Sequence, residues 1–172
     1  MDTNATLGMV GTILGALLGA GIAAWATSRQ VEVQRNLERE KRTLEKFEEI
    51  HELLDKVTQQ ASLLGLSVIG KIGQGIPIKA ENLGGPNQLE RLQMLVDFYA
   101  PNLKPEIDAI RNEYNKVGRV FGETIATEKQ TDEWKAKVAE IAALSPMEMN
   151  QHVKSAKQKL SVLVETLTAK TG

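Results

Sequence analysis

Leu44–Val68 reads LEKFEEIHELLDKVTQQASLLGLSV. Its apolar residues Leu44, Phe47, Ile50, Leu54, Val57, Ala61, Leu64 and Val68 recur at intervals of three and four. That period places them on one face of an α-helix. No proline interrupts the stretch, and upstream charged sequence extends it as far back as Ser28 without a glycine. The pattern predicts one long amphipathic, coiled-coil-like helix over 28–69, with Leu37 as the first member of its stripe. The step Leu44–Phe47–Ile50 breaks a perfect heptad. Glu38–Arg42 and Glu52–Lys56 add favourable pairs one turn apart, worth a few tenths of a kcal/mol each.

Upstream of this helix, Leu7–Ala26 reads LGMVGTILGALLGAGIAAWA and carries no charge. At about 1.5 Å per residue it spans roughly 30 Å, the thickness of a bilayer's hydrocarbon core. Arg29, Arg35, Arg39, Lys41 and Arg42 follow, whereas the leading MDTNAT has no cation. A cleaved signal peptide needs a positive leading segment, so the run reads as a retained anchor. Its strongly apolar residues contribute about −2 to −4 kcal/mol to insertion, partly offset by the glycines. The charge bias places the N-terminus outside and the remainder in the cytoplasm. Trp25, Arg29 and Arg35 are then the membrane-interface residues. The interspersed Glu32, Glu38 and Glu40 make the basic run a topology signal more than an anionic-lipid patch.

Within the anchor, Gly11, Gly15 and Gly19, continued by Ala23, share one face at four-residue spacing. Small-residue rows let two helix backbones approach closely in lipid, where packing drives association. These four residues are the candidate self-association face, in the manner of a glycine zipper.

Downstream, Gly70–Pro86 (GKIGQGIPIKAENLGGP) is rich in glycine and proline and reads as a long loop. A short helix over 87–100 ends at Pro101. A third helix runs from Pro105 to about Thr127, with Leu103, Ile107, Ile110, Tyr114, Val117 and Phe121 as its stripe. Thr131 or Asp132 caps a fourth helix that ends at Leu144. Ser145-Pro146 has the form of an N-cap followed by proline at the first helical position. A fifth helix then carries Met149, Val153, Ala156, Leu160, Leu163 and Leu167. No sustained two-residue alternation marks a strand.

The expected fold is therefore all-α: a single transmembrane helix, a long helix and an antiparallel bundle. The expected division is 1–6 outside the membrane, 7–27 anchor, 28–69 long helix, 70–86 loop and 87–172 bundle packing back on 28–69.

Composition limits function. The chain has 172 residues, a net charge of −1, no cysteine and 4% aromatic residues. There is no electrostatic case for nucleic acid as a partner. Disulfides and cysteine-held metals are excluded. Gly65–Ile72 approaches the phosphate-loop pattern, but Ile72 stands where Ser or Thr must hold Mg²⁺. Glu48 and His51 have the spacing of a di-iron half-site, yet the remaining ligands are missing. No nucleophile–base–orienter set is legible, so no catalytic residue, metal or cofactor is assigned.

The layout of an N-out span followed by a long charged helix resembles the b subunit of F-type ATP synthases. Pro101, Pro105 and Pro146 depart from that subunit's continuous helix, and the resemblance is one of layout alone. The expected role is a non-enzymatic scaffold, tether or accessory subunit of a bacterial inner membrane. Its expected partners are the lipid bilayer, further copies of itself and a protein not identified by sequence. The alternatives are a pore-forming effector assembled through the glycine face and a membrane-tethered enzyme using the 70–86 loop. Gly15→Ile is expected to weaken anchor association in a membrane two-hybrid assay. An unchanged signal removes the glycine face.

Overall fold

The computed structural model describes the backbone of residues 3–78, 87–127 and 131–169, and the side chains of 27–78, 88–127 and 131–169. Among the described residues the regular structure is entirely helical: α1 (Thr3–Gln74), α2 (Asn87–Tyr99), a short 3-10 turn (Pro101–Leu103), α3 (Lys104–Ala126) and α4 (Asp132–Thr168). The chain divides into two compact units, Met1–Arg42 and Thr43–Gly172. In the first unit the described side chains, 27–42, are exposed apart from a half-buried Glu40. Leu37, expected to open the apolar stripe, is 54% exposed. Among the described residues no helix is long and apolar enough to cross a membrane. The expected span at 7–27 is helical backbone within α1, and its side chains up to Ala26 lie outside the described residues.

The second unit is a bundle with two connected layers of core. In one layer Phe47, Ile50, Leu54, Val57 and Ala61 of α1 meet Leu92, Leu95 and Val96 of α2. Leu103, Ile107 and Ile110 at the start of α3, and Met149, Val153, Ala156 and Leu160 of α4, complete it. In the other layer Leu64 and Val68 meet Val117, Val120 and Phe121 of α3 and Val138 and Ala142 of α4. Tyr114 packs against both. Early α1 residues thus pair with early α3 residues and late α4 residues, so α1 and α3 run in one sense and α4 in the other. α2 covers the first layer only.

Local chemistry sets most helix ends. Pro101 cannot continue α2, and the residue before it leaves the helical region at Ala100 (φ −142°, ψ 55°). Thr131 caps α4 by accepting a hydrogen bond from the Trp134 amide at 3.2 Å.

α1 continues past Ile69, through the glycines at 70 and 73 expected to open the loop, as far as Gln74. The reason is burial: Val68 is fully buried and Ile72 packs against the second core layer. The helix ends instead at Gly75, whose φ of +67° favours glycine. The Gly75 amide donates to the Lys71 carbonyl at 3.1 Å.

The expected break at Ser145-Pro146 is absent, and α4 passes through Pro146 as one helix. Val138, Ala142, Ser145, Met149 and Val153 are buried at spacings of four, three, four and four, so the core face keeps its phase through the proline. Burying Met149 and Val153 contributes about 1.5–3 kcal/mol each. That outweighs the roughly 3 kcal/mol cost of an interior proline.

Pro146 has no amide hydrogen, so the Ala142 carbonyl lacks its helical donor. Gly65 of α1 lies against that carbonyl. A Cβ at position 65 would overlap the Ala142 oxygen and touch the Pro146 ring. Gly65→Ala is expected to lower stability by about 1–3 kcal/mol, despite the better helix propensity of alanine. Gly73→Ala, where a Cβ meets open space, is expected to be neutral or to stabilise by up to about 1 kcal/mol. Urea denaturation followed by circular dichroism checks both. Equal effects would sink the close-approach explanation.

Candidate docking groove and buried carboxylates

Two features of the bundle carry polar chemistry. The first is a groove of about 550 Å³ on the α1–α4 seam. Its floor is Leu44, Phe47, Leu160 and Val164. These residues belong to the apolar stripes of the two helices, at the end where the first core layer meets solvent. Glu48, His51, Lys157 and Glu165 stand along the rim. Lys157 is held by Asp55 at 2.6 Å, and His51 lies 3.8 Å from the same carboxylate. A groove of this size, with an apolar floor and a polar rim, has the character of a binding site.

The second feature is a pair of carboxylates facing the α3–α4 interface, Glu106 half-buried and Glu113 buried. Glu106 and Glu113 sit on the α3 core face, each beside a stripe residue. Lys159 of α4 pairs with Glu106 at 2.5 Å, and Ser155 donates to it at 3.4 Å. Lys116 pairs with Glu113 at 2.6 Å. One oxygen of each, Oε2, is buried and takes no hydrogen bond. Burial pushes both carboxyls up. The hydrogen bond and charge of Lys159, with Ser155, more than offset this at Glu106. At Glu113 the same is done by Lys116 and the neighbouring Ser145 hydroxyl, so both groups lie below the ordinary carboxylate value. Ser145, expected as a helix cap, is instead buried in mid-helix beside Glu113.

The residues singled out from sequence fall as follows. Gly11, Gly15, Gly19, Ala23 and Trp25 lie on the α1 backbone, and their side chains are outside the described residues. Arg29 and Arg35 are exposed on α1. Gly65–Ile72 is helical throughout, so it forms no phosphate-cradling loop. Of the 70–86 segment, 70–74 is helix and 79–86 lies outside the described residues. Glu48 and His51 both line the groove, and no cluster of three or more metal-ligating side chains occurs among the described residues.

Sequence reading missed Glu106 and Glu113, although their phase was visible. Glu113 falls between Ile110 and Val117 on the buried face, where a carboxylate needs a partner. The groove had no such signal, because its two walls come from helices far apart in the chain. No family model matches this chain, and no curated protein or solved structure matches it.

The carboxylate shifts predict acid sensitivity. A carboxyl whose pKa is depressed on folding contributes stability above its unfolded value and loses it as pH falls through the folded value. Thermal midpoints of the full chain are therefore expected to hold near neutrality and fall below about pH 4. In Glu106→Gln/Glu113→Gln that acid slope should be shallower. An unchanged slope would place the sensitivity elsewhere.

Proposed function

We propose that the protein is a single-pass, membrane-anchored scaffold, tether or accessory subunit, without catalytic activity of its own. Its bundle serves as a docking domain for a partner. The observation that carries this reading is the uncharged run Leu7–Ala26, with its cations confined to the C-terminal side. The continuity of α1 supports it, since one helix leads from that run into the core at Phe47. In this reading the N-terminus is outside, the bundle is cytoplasmic, and Trp25, Arg29 and Arg35 meet the headgroup zone. Gly11, Gly15, Gly19 and Ala23 bring copies together. The α1–α4 groove is the surface offered to the partner.

Expression of the full chain followed by alkaline carbonate washing tests the anchor. The chain is expected to stay with the membrane pellet, and Leu14→Arg/Leu18→Arg to move to the supernatant. Release of the unmodified chain overturns the anchor. Membrane potential is expected to be unaffected by expression, and its collapse would favour the pore-forming alternative.

A further inference from the structure

We propose that the α1–α4 groove receives the apolar face of a basic amphipathic helix supplied by a partner protein. The inference rests on the docking role proposed above and names the chemistry of the partner. The groove floor is apolar, with Phe47 and Leu160 buried and Leu44 and Val164 half-buried. Its rim has both signs of charge, but only one is available. Asp55 engages Lys157 at 2.6 Å and stands 3.8 Å from His51, so the cationic side of the rim is already matched. Glu48 and Glu165 have no hydrogen bond or ion pair from their carboxylates among the described residues. The groove therefore presents an apolar floor between two free carboxylates.

An anionic amphiphile or an acidic peptide would meet repulsion from both carboxylates. A ligand with an apolar stripe and flanking cations satisfies floor and rim together. Length points to a helix. On α4 the wall runs from Lys157 to Thr168, about 16 Å at the helical rise, and on α1 from Leu44 to His51, about 10 Å. That accommodates two to three helical turns, with apolar anchors at i, i+3 or i+4, and i+7.

The native chain has no cysteine, so Ser161→Cys, on the groove wall, gives a single attachment point for an environment-sensitive fluorophore. The labelled full chain is titrated with a leucine–lysine peptide of about four helical turns. A second peptide has glutamate at every lysine position. The lysine peptide is expected to give a saturable response that weakens with added salt. The glutamate peptide should bind at least about tenfold more weakly. Glu48→Lys/Glu165→Lys in the labelled chain should weaken the lysine peptide by about tenfold. Val164→Asp should do the same while leaving the helical circular dichroism spectrum intact.

Equal binding of the two peptides overturns the proposal, as does a response indifferent to both sets of substitutions. A response to the chain's own concentration with none to peptide also overturns it and assigns the groove to a second copy. Failure here leaves the carbonate result standing. Release from membranes, conversely, leaves this titration interpretable.

Discussion

The approach of α1 to α4 at Gly65 is the contact on which the bundle's geometry depends. Position 65 has no room for a Cβ, because the Ala142 carbonyl occupies that space. That same carbonyl lacks a helical donor because Pro146 has no amide hydrogen. Because Gly65 has no Cβ, the two backbones come together at a buried carbonyl that has no helical donor. The contact lies at the edge of the second core layer, at Ala142 and between Leu64 and Val68, next to the first layer. Phe47–Ala61 pack with Met149–Leu160 in the first layer, and Leu64 and Val68 pack with Val138 and Ala142 in the second. A residue with a side chain at 65 would spread α1 from α4 and loosen both.

Ion pairs also link the helices across their packed faces. Arg91 of α2 donates through Nε to Glu49 of α1 at 2.6 Å, Lys157 of α4 reaches Asp55 of α1, and Lys159 of α4 reaches Glu106 of α3. Exposed pairs of this kind contribute little stability singly. The buried carboxylates differ, since losing the partner of a desolvated anion is expensive. The same pairing shapes the groove. Asp55 holds Lys157 on one side of the seam, while Glu48 and Glu165 have no ion-pair partner among the described residues.

Much of the architecture was legible along the chain. The stripes from Leu44 to Val68, Leu103 to Phe121 and Met149 to Leu167 are the faces that the core buries, with Leu44, Tyr114, Leu163 and Leu167 half-buried at its edges. Thr131 and Pro101 mark helix ends as their chemistry requires. The errors cluster at glycine and proline. Gly70 and Pro146 are helix breakers by propensity, yet Ile72 beyond one and Met149 beyond the other are held by tertiary burial. Propensity is worth about 1 kcal/mol for glycine and about 3 for proline, which a few buried side chains exceed. Leu37 failed in the opposite direction. It has the right spacing but is 54% exposed.

By itself the sequence determined that the chain is helical, which faces are apolar, and that an uncharged run precedes a basic one. These properties follow from the 3.6-residue period and from charge order, both local. Only the tertiary structure decided that α4 continues through Pro146 and that Ser145 is buried in mid-helix rather than standing at a helix end. It also decided that, among the described residues, Glu48 and Glu165 have no ion-pair partner. Those outcomes depend on distances between residues far apart in the chain, 102 positions for Asp55 and Lys157. No local pattern encodes such a distance.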